Sequence, residues 1–241
     1  MNGNRLGNFF LILSVLSMAA LGCRLSGRPT RVESQEEVIP RNGLESAEVE
    51  LRMGAGSLKI QSGTSEFMEG TFTYSDGNYA PQIDYVSTGS GTGELVIEQE
   101  ELTNFNLNTD YQLTWDLRFS EEIPLDLYLA LGAGELFLDG TELLLENLVL
   151  DMGAGEATVI LGEPLQGDLR VSIQGGLGQL NVELPAGVGI RAEVTGGLGD
   201  IDVDGLVRSD GEYVTPEEYE GPMILLDIEG GAGQINLSVN R

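Results

Sequence analysis

The chain has 241 residues, which suits one large domain or two small ones with a substantial core. It carries 39 acidic and 12 basic residues, a formal net charge of −27, so its surface repels nucleic acid and attracts cations or cationic partners. It has no histidine and one cysteine, which excludes a Ser-His-Asp triad, a Cys-His pair, a histidine zinc site and an intramolecular disulfide. No nucleic-acid partner is expected, and any catalysis would have to use carboxylates, tyrosine, arginine or the single lysine, Lys59.

The first 22 residues have the features of a secretory signal peptide. Arg5 supplies a positive charge, and residues 9–21 form an apolar run too short to span about 30 Å of hydrocarbon comfortably as a helix. The run ends in ALGC (20–23), which resembles a bacterial lipobox. The resemblance implies a lipoprotein signal peptide over 1–22. It also implies that Cys23, the first mature residue, carries a diacylglycerol on its thiol and an acyl chain such as palmitate on its amine.

The segment that begins at this cysteine, residues 23–45, lacks sustained periodicity and contains two prolines and four arginines. We predict that it is a flexible tether whose positive charge meets anionic headgroups near the membrane. The folded domain is then expected over residues 46–241.

A glycine-centred repeat runs through this domain. Each copy has alternating apolar residues, then glycines, then alternating apolar residues again, which predicts a strand, a corner and a strand. A unit of about 21 residues explains most of the spacing and predicts about nine rungs. The copies are LRMGAGSLKI (51–60), LALGAGELFL (129–138), LDMGAGEATV (150–159), VSIQGGLGQLNV (171–182), AEVTGGLGDIDV (192–203), LDIEGGAGQINL (226–237) and a looser STGSGTGELVI (87–97).

Apolar residues on the two sides of each corner are an odd number of positions apart. Leu131 and Leu136 are five positions apart, so a straight strand would turn one apolar set towards water. The chain must therefore bend at the glycines, which tolerate unusual φ angles. The predicted fold is all-β, a single-stranded parallel β-helix or solenoid of about 21-residue rungs with glycine corners. An antiparallel β-sandwich is the alternative.

Two further segments have a predicted place in this fold. The polar stretch near 207–222 interrupts the repeat and is expected to project as a hairpin, with a turn at Asp210 and Gly211. The only tryptophan, Trp115, lies in the alternating run YQLTWDLRF. This alternation favours core packing of Trp115 over a role as a sugar-stacking platform.

The stretch GGLGDIDVDG (196–205) resembles the start of two kinds of calcium site. The β-roll repeat needs an aspartate two residues after its last glycine, where this chain has apolar residues such as Ile201. A helical calcium loop needs glutamate at its twelfth position, where this chain has Gly211. Strand alternation instead puts the three aspartates together on a solvated face. No metal ligand, cofactor site or catalytic residue is therefore predicted.

Several runs together resemble the toast-rack domain of bacterial envelope lipoproteins. They are GTFTYSDGNYAPQIDY (70–85), TWDLRFSEEIPLDLYLALGAGELFLDG (114–140), LDMGAGEATVIL (150–161) and the later GGLG and GGAGQINL. That domain is similar to the β-strand-repeat putative adhesins and to the extracytoplasmic domains of cell-wall-antibiotic response proteins. The resemblance implies a β-helical envelope domain that brings no catalytic residues. With no membrane helix after the domain, the lipid is the expected anchor.

These features predict a non-enzymatic, lipid-anchored module of the cell envelope, on its extracytoplasmic face. It would reach the membrane through Cys23 and bind an envelope protein or glycan, in adhesion or in a response to envelope stress. One alternative is a calcium-stabilised structural spacer. A less favoured one is a β-helix carbohydrate-active enzyme using Glu121 with Glu122, or Asp200 with Asp202. Adjacent strand residues point to opposite faces, and a solvated face offers no pocket to raise a carboxyl pKa.

Overall fold

The structure is a computed structural model that describes residues 32–75, 79–88, 91–99, 112–163, 165–216 and 219–240. Cys23 and the predicted signal peptide lie outside these ranges. Within them, strands of mixed orientation join in one sheet. The strands are β1 (Glu33–Ile39), β2 (Ser46–Ser62), β3 (Met68–Tyr74), β4 (Pro81–Ser87), β5 (Thr92–Gln99), β6 (Leu113–Phe119), β7 (Leu125–Gly140), β8 (Leu145–Leu161), β9 (Leu169–Leu184), β10 (Gly189–Asp204), β11 (Val207–Ser209), β12 (Glu212–Val214) and β13 (Met223–Val239).

The long strands bend at the glycine motif and stack in parallel. In spatial order they are β2, β7, β8, β9, β13 and β10. Their corners lie in register, so that Gly134 pairs with Gly56 on one side and with Gly155 on the other. Each long strand is one rung. The all-β, solenoid-like arrangement predicted from the repeat is confirmed, although the described residues contain these six corner rungs instead of about nine.

The two halves of each rung turn their apolar residues towards a shared core. In β7, Leu129 and Leu131 before the corner and Leu136 and Leu138 after it are buried, with exposures of 0–2%. The corner therefore keeps the apolar residues of both halves facing the core, although their odd spacing would put them on opposite faces of a straight strand. Burying a side chain of this size contributes about 1.5–3 kcal/mol. Stacked rungs supply this burial to one another, because one rung alone encloses no core.

Antiparallel strands close the N-terminal end of the stack. The first half of β2 pairs with β5 and its second half with β6, so the sheet divides at this rung. β5 then pairs antiparallel with β4, while β6 pairs with β3, and β3 with β1. The two branches meet where Phe67 packs against Tyr85, with ring centroids 5.9 Å apart. The antiparallel sandwich, the alternative drawn from the sequence, is thus not the overall architecture, because the six long rungs pair in parallel.

The predicted tether is wrong over its C-terminal part. Glu33–Ile39 forms β1, which pairs along its whole length with β3. The sequence shows no apolar alternation here, because this edge strand places Gln35 and Glu37 at half-buried positions and leaves Val38 55% exposed. The sheet therefore begins upstream of residue 46.

The looser repeat at 87–97 does not form a corner. Gly93 lies near the start of β5, opposite Ala47 of β2 and Ser87 of β4. A β-carbon at this position would meet the side chain of Leu44. The glycine therefore serves close packing against Leu44, and not a bend in the chain.

β13 enters the sheet between β9 and β10, out of chain order, and pairs in parallel with both. The segments after the corner explain this order. In β13, Ile235 and Leu237 are 6% and 1% exposed, and their neighbours are neutral. In β10, Ile201 is 38% exposed and alternates with aspartates. Charged side chains are a common protection of edge strands, so β10 suits the end of the stack.

The polar stretch near 207–222 contains β11 and β12, which pair antiparallel. Asp210 and Gly211 between them have φ angles of 51° and 98°, and positive φ at both central residues is typical of a type I′ turn. β12 pairs with Arg191 and Ala192 at the start of β10. No helix in the described part of the chain is long and apolar enough to cross a membrane.

Candidate recognition surface at the end of the stack

Glycines at the corner allow the rungs to approach closely. The last glycine of each motif has a positive φ, between 133° and 153° across the six rungs. At the end of the stack, a β-carbon on Gly199 would lie 1.6 Å from the carbonyl oxygen of Gly233, and one on Gly197 would lie 2.2 Å from that of Gly231. Two columns of stacked glycines therefore run along the corner from rung to rung, and one residue of each rung lies between the columns.

The residue between the columns changes in character along the stack. It is alanine in the rungs of β2, β7, β8 and β13, at positions 55, 133, 154 and 232. It is Leu177 in β9 and Leu198 in β10. These leucines are 62% and 79% exposed. The last rungs therefore present two large apolar side chains to solvent on either side of Ala232.

An apolar crevice lies beside these leucines, where glycine replaces larger residues at one position on the inner face of the corner. Met53, Leu131 and Met152 occupy one position in register on β2, β7 and β8. The same position is glycine in the next three rungs, at Gly175, Gly230 and Gly196. The crevice has a volume of about 50 Å³ and is lined mainly by Met152, Leu177, Leu180, Leu198, Ile201 and Ile235.

The crevice is open at Gly175, where a β-carbon would meet nothing within 4 Å. By contrast, a β-carbon on Gly196 would lie 3.1 Å from Cδ1 of Ile201, and one on Gly230 would lie 2.7 Å from Cδ1 of Ile235. The isoleucines after the corner thus cover their own glycines, whereas the space at β9 stays open.

The outer edge of β10 follows directly from the crevice. β12 pairs with only Arg191 and Ala192, so among the described residues no strand pairs with the outer side of 193–204. We call this segment the β10 edge. All its residues are exposed except the half-buried Val194 and Val203. A strand edge of this kind presents unpaired backbone N–H and C=O groups to another chain.

An acidic row lies along the β10 edge and ends a ladder of amide side chains. The acidic row is Asp200, Asp202 and Asp204, which pair in register with Gln234, Asn236 and Ser238 of β13. Behind them, the side-chain amide of Asn236 donates to Asn181 of β9 at 2.7 Å. Gln179 and Gln234 each donate to the asparagine two residues on, at 3.0 and 2.9 Å. The outer face is therefore hydrogen-bonded internally and becomes fully anionic at the last rung.

A tyrosine on an outer face, Tyr128, has a shifted pKa, but it lies on β7 and not at the β10 end of the stack. The hydroxyl of Tyr128 on β7 donates to Asp151 on β8 at 2.8 Å. This hydrogen bond, with smaller contributions from burial and from the charge of Asp151, raises the pKa of Tyr128. The contact links two neighbouring rungs.

The residues considered for enzyme chemistry lie either in the core or on exposed surface. Trp115 is fully buried, with its ring 5.7 Å from Phe72 in an edge-to-face contact. Core packing is thus confirmed, and a buried ring offers no platform to a sugar. Glu121 and Glu122 lie exposed in the turn after β6, where Glu122 pairs with Arg41. Lys59 lies 4.0 Å from Asp116 on an exposed face.

The candidate surface also combines features that the sequence does not connect. The three aspartates were expected on a solvated face, and the structure places them on one. Among the residues the structure describes, no group of three or more carboxylate or thiol side chains is arranged to hold a metal ion. The crevice depends on the insertion of β13, so the repeat alone does not indicate it.

A bent parallel solenoid with glycine corners and an antiparallel cap defines a known class of β domain. A family model, described as the N-terminal domain of toast_rack, DUF2154, matches residues 28–183. This match covers more than half of the chain, and the protein belongs to the toast-rack family. The matched range ends within β9, so the whole β10 edge and about half of the crevice lining lie beyond it.

A solved structure shows the same fold. A "putative cell adhesion protein" from Clostridium sporogenes ATCC 15579 is similar with a TM-score of 0.80 and 26% identity, over 87% of this chain and 100% of that chain. A "putative adhesin" from Bacteroides fragilis NCTC 9343 matches over 86% of this chain and 97% of that one, with 11% identity and a TM-score of only 0.29. A comparison with curated proteins finds no match.

Proposed function

We propose that this protein is a non-enzymatic, lipid-anchored module on the extracytoplasmic face of the cell envelope, where it binds an envelope protein or glycan. The observation that carries the proposal is the open end of the stack at β10. Among the described residues, an unpaired strand edge, an apolar crevice and a row of aspartates meet there. Surfaces of this kind recognise extended partners.

Three other observations support the proposal. The family is that of toast-rack domains, and the relative with a TM-score of 0.80 is named a "putative cell adhesion protein". The ALGC sequence ending at Cys23 resembles a lipid-attachment site, with alanine at position 20 where leucine is preferred. An acidic domain held at a membrane by acyl chains would also stand away from anionic headgroups, because the two repel each other.

The placement of the carboxylates supports a binding role over catalysis. Asp200 and Asp202 share an exposed strand face, and Glu122 forms a surface ion pair. General acid catalysis by a carboxyl group needs an environment that raises its pKa, usually an enclosed and apolar one. These positions have no such enclosure.

The proposal is tested in cells with the full chain bearing a C-terminal affinity tag. After cross-linking of intact cells, we expect the tagged protein to recover one envelope protein or glycan in near-stoichiometric amount. A tagged lipoprotein of similar size and charge serves as the control. Recovery of the same background set by both proteins would contradict a specific binding role.

A further inference from the structure

We infer that the β10 edge binds an extended, cationic segment of a partner protein, which adds one strand to the end of the sheet. The segment would alternate basic and apolar side chains. Its basic residues would face the acidic row, and its apolar residues would continue the inner face beside Ile201 and Val203. This inference rests on the proposed binding function and names the site and the partner chemistry.

The backbone of β10 supplies the first requirement for an added strand. Its outer side is unpaired over 193–204 among the described residues, while its inner side pairs with β13. The β11–β12 hairpin occupies the first residues of the same edge, at Arg191 and Ala192. The edge therefore already accepts a short antiparallel strand at one end, and the straight part after the corner remains open.

Charge distinguishes the partner. Asp200, Asp202 and Asp204 alternate along the open part, and they have neutral neighbours on β13. A second copy of this strand would bring its own aspartates against them, and like charges opposite one another destabilise a pair of strands. A strand with lysine or arginine at alternate positions would instead form favourable cross-strand pairs. Self-association is thus disfavoured and a cationic partner favoured.

The crevice supplies apolar contacts on the other face. Ile201 is 38% exposed, whereas Leu136, which occupies the same position in the rung of β7, is 2% exposed. Leu198 is 79% exposed. The inner face of the last rung is therefore incompletely covered. Apolar side chains of an added strand would cover Ile201. Burial of this kind contributes roughly 25 cal/mol per Å² of apolar surface.

The test measures binding of synthetic peptides of about ten residues to the full chain in detergent. The probe alternates lysine and valine. One control peptide alternates glutamate and valine, and another contains the lysines and valines with interspersed prolines, which cannot donate ladder hydrogen bonds. We expect the Lys-Val peptide to bind and both controls to bind at least about tenfold more weakly, a difference of about 1.4 kcal/mol.

A matched pair of variants locates the site. Asp202→Lys reverses a charge on the β10 edge, and Glu156→Lys makes the same change in net charge on β8, within the same sheet. We expect Asp202→Lys to weaken binding of the Lys-Val peptide at least about tenfold, and Glu156→Lys to change it less than about twofold. An equal loss in both variants would show attraction by net charge alone and would overturn the inference.

Hydrogen exchange gives an independent readout of the strand. We expect the Lys-Val peptide to protect backbone amides within 200–204 from exchange, and to leave those of β8 unchanged. Binding without this protection would also overturn the inference. If the peptide fails to bind while the tagged full chain still recovers an envelope partner in cells, the strand-addition site is wrong and the proposed function stands. If neither binds, both fail.

Discussion

A β-carbon on Gly178 would lie 1.8 Å from the carbonyl oxygen of Gly155 in the neighbouring rung. That distance is far below any van der Waals contact. Gly178 also has a φ of 140°, a backbone conformation that residues with a β-carbon rarely adopt. The corner therefore excludes every residue but glycine, by backbone contact as well as by conformation.

We expect Gly178→Ala to lower the free energy of unfolding by more than about 3 kcal/mol, because the rungs must separate to admit the methyl group. Gly175→Ala is the matched control, since its β-carbon would enter open space. It should be neutral, or stabilise by about 0.5–1 kcal/mol through the loss of glycine flexibility. Denaturant unfolding of both variants checks the prediction, and similar losses in the two would contradict the stacked-corner geometry.

Trp115 should report on the core, since it is the only tryptophan and is fully buried. We expect its emission to be blue-shifted, resistant to acrylamide and unchanged by oligosaccharides. Trp115→Ala should cost about 3–5 kcal/mol. Phe137→Ala, at a side chain 37% exposed, should cost much less. Emission that is readily quenched in the folded protein would place the indole at the surface and refute this packing.

The amide ladder should contribute measurably to the contact between β9 and β13. Asn236 donates to Asn181 at 2.7 Å across the two strands. A double-mutant cycle with Asn181→Ala and Asn236→Ala should give a coupling energy of about 0.5–1.5 kcal/mol. Asn236 belongs to the rung that enters out of chain order. Zero coupling would therefore argue against the placement of β13 beside β9.

Calcium should not stabilise the domain specifically. The aspartates of the acidic row alternate along one exposed strand, and the described residues provide no cluster of ligands for a metal. We expect the melting temperature to change equally with calcium and with the same concentration of magnesium. A rise of several degrees with calcium alone, lost in Asp202→Asn, would support the calcium-stabilised spacer instead.

The sequence predicts the corners well because each depends on local chemistry. Glycines at one spacing, and an odd offset between Leu131 and Leu136, indicate a bend whatever the neighbours are. The turn at Asp210 and Gly211 is likewise encoded locally, by residues that tolerate positive φ. The burial of Trp115 follows from alternation within its own strand.

The order of the rungs could not be read in the same way. A repeat suggests that rungs stack in chain order, but β13 lies between β9 and β10. The preference of β10 for the end of the stack and of β13 for an internal position depends on a small sequence difference after the corner. There β10 reads DIDVD and β13 reads QINLS. The crevice at Gly175 depends on three glycines that meet only in the folded sheet, so no single copy of the repeat indicates it.

The edge strand β1 and the false corner at Gly93 show two further limits. An edge strand buries few side chains, so polar residues such as Gln35 and Glu37 remove its alternation. Glycine in a strand can equally serve close packing, as it does against Leu44. Both signals require knowledge of the neighbouring strand.

The central claim is that the protein is a lipid-anchored module outside the cytoplasmic membrane, and one measurement tests it directly. Cells that express the tagged full chain or its Cys23→Ser variant are grown with an alkyne-bearing fatty acid, and spheroplasts are then treated with protease. We expect the wild-type chain to carry the label, to sediment with membranes and to be digested without lysis. The variant should remain unlabelled. A wild-type chain that takes no label, or resists protease until the cells are lysed, would contradict the account.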